Sequence, residues 1–398
     1  MDTELRPPPA AIVLSRPTVW FMALAAAVGT AAIYPLQPAI ATVAGSVHGS
    51  ITDVGVALAC GPVGYLIGLA VLVPLVDRFA PRKVVCLQFV VMALGLVMNA
   101  AAGRAWILGI AIGVVGAVSS VGAQLSSVAG RFAETRRRAT DLGIVTAGIS
   151  AGILAGRIVG GWLVELIGWR GMILVFASAC AILAVAALVV LPGASGTVNT
   201  GYLATLRGIP GLYLRWSALR LAAGRGALWF FAFCAIWSGL AVALSQPPYS
   251  FSPEQIGLYA LAGLAGIGAT RIAGAWTDRV GAHRVVVIGL AVTLVASLGL
   301  CVALSNSAVV FVCLGLFDAG LFAAQVANQS TVLAIQPNAP AQFNSAYMVV
   351  YFVGGSVGSA FGATAVEWFG WAATAAVAAG AIALAELITV AARSRAAR

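Results

Sequence analysis

Apolar residues fill the chain in blocks of about 20, cut by short polar breaks: 18–44, 53–76, 84–101, 105–128, 141–164, 170–190, 224–245, 253–277, 285–304, 307–334, 341–364 and 369–391. A helix needs about 20 mostly apolar residues to cross a bilayer, so the pattern predicts twelve spanning helices. The longest break runs from Leu191 to about Ala223. Its stretch GYLATLRGIPGLYLRWSALRL mixes Leu, Tyr and Trp with Arg and predicts an amphipathic helix lying on the membrane surface. The chain also repeats itself at half length. VDRFAPRKVV from Val76 matches TDRVGAHRVVV from Thr277, and VELIGW from Val164 matches VEWFGW from Val366, 202 residues on. The expected organisation is a tail (1–17), a six-helix bundle (18–190), a linker (191–223), a second six-helix bundle (224–391) and a tail (392–398).

Composition agrees with that pattern. Hydrophobic residues make up 61% of the chain and charged residues 9%, with a mean hydropathy of +1.02, whereas a soluble domain carries roughly 25% charged residues. The class is therefore an all-α integral membrane protein. The net charge of +10 is a matter of placement rather than a sign of nucleic acid. With the N-terminus in the cytoplasm, eighteen of the 22 Lys and Arg fall inside, only Arg104 and Arg170 fall outside, and Arg157 and Arg271 lie within spans. That bias predicts two cytoplasmic termini in a cell (inner) membrane. The N-terminal stretch lacks the order of a signal peptide, and the six Cys lie inside or at the ends of spans with no paired spacing, as apolar fillers.

Within GIVTAGISAGILAGRIVGG, from Gly143 to Gly161, Gly148, Gly152, Gly156 and Gly160 recur every four residues. On a helix they form one ridge without side chains, where another helix can approach backbone to backbone. The spacing of Gly143, Gly152, Gly156, Gly160 and Gly161 resembles the antiporter signature on the fifth helix of proton-coupled drug exporters of the major facilitator superfamily, with Arg157 where that signature has Pro. Two cytoplasmic loops resemble another signature of the superfamily. One has Asp77, Arg78, Arg82 and Lys83; the other has Gly274, Asp278, Arg279, Gly281 and Arg284. An acid there can sit against the positive N-terminus of a helix, worth about 0.3–1 kcal/mol. The resemblance implies that Asp77 addresses the start of helix 11 and Asp278 the start of helix 5, holding an outward-facing form. It also implies two pseudo-symmetric bundles around a midplane site, working by alternating access. The Arg usual on helix 4 of the related antiporters is missing; its position is Ile112.

Asp318 is the leading candidate for a proton site. It stands about eleven residues into helix 10, roughly 16 Å deep at 1.5 Å per residue, where a carboxylate is expensive unless paired, protonated or facing water. Phe322, Gln325 and Gln329 follow at i+4, i+7 and i+11 on one face. Arg157 lies at a similar depth, and the expected arrangement is an ion pair with Asp318, broken when the carboxylate takes a proton. A static pair, or no contact between the two, is the alternative. Tyr34, Gln37, Ser120, Gln124, Phe233, Trp237, Gln246, Asn344, Tyr347 and Tyr351 complete the candidate cavity, offering flat contacts and a few orienting hydrogen bonds to a sizeable, partly apolar solute.

No nucleotide loop, metal motif or nucleophile motif is present, so neither an enzyme, a metal nor a cofactor is expected. The expected partners are a small-molecule substrate, protons and the lipid bilayer, with no nucleic acid, and the chain is expected to be a monomer. The resemblance implies proton-driven export of a small organic compound. Uptake or facilitated transport of a metabolite such as a sugar, amino acid or nucleoside is the alternative, and a receptor built on the same fold is a third.

Overall fold

The computed structural model describes residues 14–134, 137–194, 210–336 and 340–396, and every regular element among them is helical. We number the helices α1 (Arg16–Ala31), α2 (Ile40–Ser46), α3 (Ile51–Val71), α4 (Pro81–Ala100), α5 (Ala105–Val118), α6 (Val121–Phe132) and α7 (Arg138–Val190) in the first half of the chain. The second half has α8 (Ser217–Ser245), α9 (Pro253–Leu258), α10 (Leu264–Val280), α11 (Ala282–Val302), α12 (Ser307–Ala334) and α13 (Pro340–Ala396). Among the described residues, nine helices are long and apolar enough to cross a membrane. Large apolar side chains such as Leu94 and Ile182 face outward with 64% and 69% of their surface exposed. Such an exterior suits lipid rather than water.

Two of the nine segments, Thr140–Val190 and Gln342–Ala392, run for 51 residues. At 1.5 Å per residue each is about 77 Å long, more than twice a hydrocarbon core of about 30 Å. Both fold back at a glycine with positive φ, Gly168 (74°) and Gly370 (79°), a conformation that costs glycine little. The two glycines stand 202 residues apart, in the repeated VELIGW and VEWFGW. Each is followed by a buried Trp whose indole ties the bend down: Trp169 Nε1 donates to Ser46 Oγ (2.8 Å) and Trp371 Nε1 to the Leu300 carbonyl (2.7 Å).

Several predicted spans are interrupted. The block 18–44 breaks after Ala31 and resumes at Ile40, because Pro35 and Pro38 lack the N–H a helix needs and crowd its preceding turn. The block 53–76 gives way after Val71 to a 3₁₀ turn, Val73–Asp77, that carries Pro74. The block 105–128 is nicked at Ser119 and Ser120, whose hydroxyls bond the Val115 and Ala117 carbonyls, a local competition with the helix ladder. The block 253–277 contains the 3₁₀ turn Tyr259–Gly263. The seventh helix starts at Ser217 rather than 224. Residues 201–209 of the predicted amphipathic segment lie outside the described residues.

The glycine ridge of α7 lies against α1. A β-carbon added to Gly148, Gly152 or Gly156 would stand 2.2, 2.2 and 2.5 Å from the carbonyl oxygens of Ala23, Ala27 and Ala31, and one on Gly160 would stand 2.6 Å from Pro35 Cα. The ridge is thus a contact within one half of the chain. Gly143 has open space instead, so it does not belong to the ridge. Gly161 reaches the other half, where its β-carbon would stand 2.3 Å from the Pro253 carbonyl. A second ridge, absent from the sequence reading, has the same form 202 residues on. Gly354, Gly358 and Gly362 of α13 lie against Ala227, Phe231 and Ala235 of α8, with β-carbons 2.3, 2.2 and 2.3 Å from those carbonyl oxygens.

The two halves also meet at the end away from the basic loops. A β-carbon on Gly55 would stand 2.2 Å from Ala363 Cβ. Thr52 donates its N–H to Glu367 Oε2 (3.1 Å), and its hydroxyl bonds the same oxygen. Helices α3 and α9 both start there with a capping box, Ser50 with Asp53 and Ser252 with Gln255. At the opposite end Gly143, Gly268 and Gly274 face open space and Asp278 is exposed. Among the described residues, no hydrogen bond ties Asp278 to the start of α7. The expectation for the Asp77 side chain lies outside what is described. Arg78, Arg82, Arg279 and Arg284 are exposed.

Overpacking either ridge should separate its helices. Gly152→Val and Gly358→Val are each expected to destabilise by roughly 1–3 kcal/mol or more, and Gly143→Ala to be neutral or slightly stabilising. Thermal unfolding of the purified protein in detergent checks this; equal melting temperatures for all three would refute the packing argument.

Candidate functional site

Between the halves lies a cavity of about 220 Å³, lined from α1 and the break after it, α3, α7, α8, α12 and α13. The proline break places Tyr34 and Gln37 on its wall, α7 contributes Arg157, α8 contributes Phe233 and Trp237, and Phe322 and Tyr351 complete the set named from sequence. Sequence reasoning missed Tyr65, Phe230 and Phe352, which also line it. Phe230 had a signal, since Phe230, Phe233 and Trp237 share one helix face at i, i+3 and i+7. Phe230 stacks on Tyr351 with centroids 4.0 Å apart, and Phe233 meets Phe322 edge-on at 5.8 Å. The volume is below the roughly 300–1,000 Å³ of drug-sized sites.

Arg157 is 5% exposed. Its Nε donates to Gln37 Oε1 at 2.7 Å, and its guanidinium carbon lies 4.8 Å from the Tyr34 ring centroid and 4.5 Å from that of Trp237. Contacts of this kind contribute about 0.5–2 kcal/mol each, most where water is excluded. Asp318 is 2% exposed, and its Oδ1 accepts from Trp237 Nε1 at 3.2 Å. Its other oxygen faces Gly263, where a β-carbon would stand 3.3 Å away. The expected direct ion pair between Arg157 and Asp318 is not made. The Trp237 indole stands between them, with its face to the cation and its N–H to the carboxylate.

The other candidates lie elsewhere. Gln124 Nε2 bonds the Leu72 carbonyl and Ser120 bonds Ala117, so both serve the packing of α5 and α6 on α3. Gln246 caps the end of α8, and its carbonyl accepts from Tyr249 and Ser250. Gln325 accepts from Trp229 Nε1 (3.3 Å) and Tyr347 OH (2.5 Å), and Gln329 bonds Asn344 (2.8 Å). Together with Arg225, whose Nε donates to Asn328 Oδ1 at 2.6 Å, these form a polar network inside the second half. Arg225 falls at the cytoplasmic start of the predicted block 224–245. The earlier start of α8 carries it two turns into the helix.

The Major Facilitator Superfamily model matches residues 19–246 and 227–397, and the chain belongs to that family. It is an integral membrane transporter, not an enzyme. The uncharacterized transporter YgaY of Escherichia coli O157:H7 is 29% identical over 359 residues, covering 90% of this chain and 91% of that protein. The methylenomycin A resistance protein of Bacillus subtilis (strain 168) is 32% identical over 145 residues, 34% of this chain and 31% of that one. The crystal structure of the nucleoside transporter NupG superposes with a TM-score of 0.76 at 13% identity, over 94% of this chain and 99% of that one. That last likeness is one of fold.

The Trp237 bridge sets a test. Trp237→Phe leaves a buried carboxylate oxygen without its donor, a cost of about 1–3 kcal/mol, whereas changing both partners to apolar groups costs less than the single changes suggest. A double-mutant cycle of Trp237→Phe with Asp318→Leu, read by thermal unfolding, is expected to give a coupling of about 1 kcal/mol or more. A coupling near zero would refute the bridge.

Proposed function

We propose that this protein is a proton-coupled secondary transporter that exports a small, partly apolar organic solute by alternating access. In this reading two six-helix bundles rock about the cavity. The twelve spans come from dividing α7 at Gly168 and α13 at Gly370 and counting α1 with α2 as one crossing. Both termini and the basic loops face the cytoplasm, so closure at the Thr52–Glu367 end is closure of the outer side. Asp318 carries the proton, Arg157 supplies its opposing charge through Trp237, and the motif loops of Asp77 and Asp278 latch the opposite, outward-facing state. The protein works as a monomer.

The observation that carries the reading is the Arg157–Trp237–Asp318 arrangement at the wall of an aromatic cavity between the halves. It joins one group from α7 in the first half to two from α8 and α12 in the second, so a change at the carboxylate bears on how the halves meet. Charged groups at such depth are costly without a task or a partner. The export direction draws support from the spacing of the α7 glycines and from the partial match to a resistance protein. Uptake of a metabolite is the second reading. It is favoured by Arg157 itself, a cation on the cavity wall, and by Ile112 where related antiporters carry an Arg.

The test is accumulation of a panel of fluorescent and antibiotic compounds in cells making the protein, with and without a protonophore. Export predicts accumulation lowered several-fold, a difference that is lost with the protonophore and in Asp318→Asn. Raised accumulation of a panel member would reverse the direction. Lowered accumulation untouched by both treatments would remove Asp318 and the proton from the mechanism.

A further inference from the structure

Among the described residues, Arg157 is the one charged residue on the cavity wall, among walls otherwise built of aromatic, aliphatic and neutral polar side chains. A guanidinium has five N–H donors in a planar fork. Among the described residues only Nε is used, by Gln37, while Tyr34 and Trp237 lie against the group as rings. The terminal nitrogens make no hydrogen bond to any described residue. A cation this buried is expensive unless its charge and its donors are met. Asp318 meets part of the charge across the indole and none of the donors, since one of its oxygens is on Trp237 and the other is toward Gly263. Gln37 cannot meet the charge, because an amide oxygen carries no net charge.

An anion on the cavity side of Arg157 would meet both the charge and the donors. The fork of Arg matches a carboxylate with two parallel N–H···O bonds, each stronger than a bond between neutral groups. The remaining walls specify the body of the solute. Tyr34, Phe230, Phe233, Trp237, Phe322 and Tyr351 offer ring faces and edges, and among the described residues the hydroxyls of Tyr34 and Tyr351 make no hydrogen bond. Aromatic pairs gain about 0.5–1.5 kcal/mol beyond burial. A polyanion has no second cation to meet, and a cavity of about 220 Å³ excludes a large ring system.

We propose that the solute is a small planar aromatic monocarboxylate, its carboxylate on the free edge of Arg157 and its ring among the cavity aromatics. The inference rests on the cavity being the solute site of a transporter, and a carboxylate there favours the second reading above, uptake, over proton-driven export.

The experiment measures binding to the purified full-length protein in lipid nanodiscs, using benzoate, 4-hydroxybenzoate and 4-hydroxycinnamate beside the matching amides and primary amines. Hydrogen bonds to a charged group contribute about 1.5–3 kcal/mol, so each acid is expected to bind at least about tenfold more tightly than its amide. Arg157→Gln should erase that preference and Arg157→Lys should keep part of it. Amides binding as tightly as acids, an acid preference that survives Arg157→Gln, or no acid binding at millimolar concentration would each overturn the proposal. The acid–amide comparison in the unaltered protein keeps the test valid if Arg157→Gln does not fold. Counterflow in liposomes separates this inference from the transport reading. Arg157-dependent binding of an acid that is never moved would sink transport and leave the site. Movement of amides or other neutral solutes without acid preference would sink the site and leave transport.

Discussion

The close approach of α7 to α1 is the constraint on which the site depends. With no side chain on Gly148, Gly152, Gly156 and Gly160, the two backbones come within a distance that no β-carbon would tolerate. Arg157 follows Gly156 directly, and a β-carbon on Gly156 would already stand 3.1 Å from Tyr34 Cβ. The same closeness that removes side chains from the ridge sets the neighbouring guanidinium against the Tyr34 ring. The proline break then turns the chain so that Gln37 meets Nε. Three cavity groups are thereby fixed within one half of the chain. Only the last contact, to Trp237, crosses to the other half.

The second half repeats this scaffold and changes its chemistry. At the offset of 202 that pairs Gly152, Gly156 and Gly160 with Gly354, Gly358 and Gly362, Arg157 corresponds to Ser359, also on the cavity wall. The same offset pairs Gly61 and Gly116, which pack backbone to backbone, with Gly263 and Asp318. A carboxylate occupies a place where the first half has none. Duplicated ridges keep the two bundles alike in shape, and the substitutions at equivalent places put a cation on one side of the interface and an acid on the other. An indole from α8 separates them. Charge is asymmetric on a nearly symmetric frame.

The helical blocks and the repeat were legible because both are local properties of the sequence. The second glycine ridge was equally legible, at the repeat offset from the first. Breaks inside blocks were less so: Pro35 and Pro38 announce one, whereas Ser119 and Ser120 interrupt a helix only because their hydroxyls turn onto nearby carbonyls. The polar stripe on α12 misled for a different reason. Asp318, Phe322, Gln325 and Gln329 do share a face, but along 28 residues that face passes three sets of neighbours: Trp237 with Gly263, then Trp229 with Tyr347, then Asn344. Periodicity tells which residues share a side and not what stands opposite. Gln124, Ser120 and Gln246 failed on the same ground, since each found its partner in a backbone carbonyl, a neighbouring helix or a turn.

The charge of the solute bears on the direction of coupling. Under the proposals above, Arg157 offers one positive charge to two acceptors, Asp318 across the indole and an anion in the cavity, and in a low-dielectric site both interactions are felt strongly. When an anion takes the free edge of Arg157, an ionised Asp318 loses compensation, and a proton on the carboxylate restores neutrality. Anion and proton then load together, and by linkage each strengthens the other's binding by the same factor. Ligands that load together cross together. A neutral solute makes no claim on Arg157 and can exclude the proton only by disturbing the Trp237 bridge, which is the arrangement exchange requires. Proton-driven export therefore belongs with a neutral solute, and cotransport with a carboxylate held by Arg157.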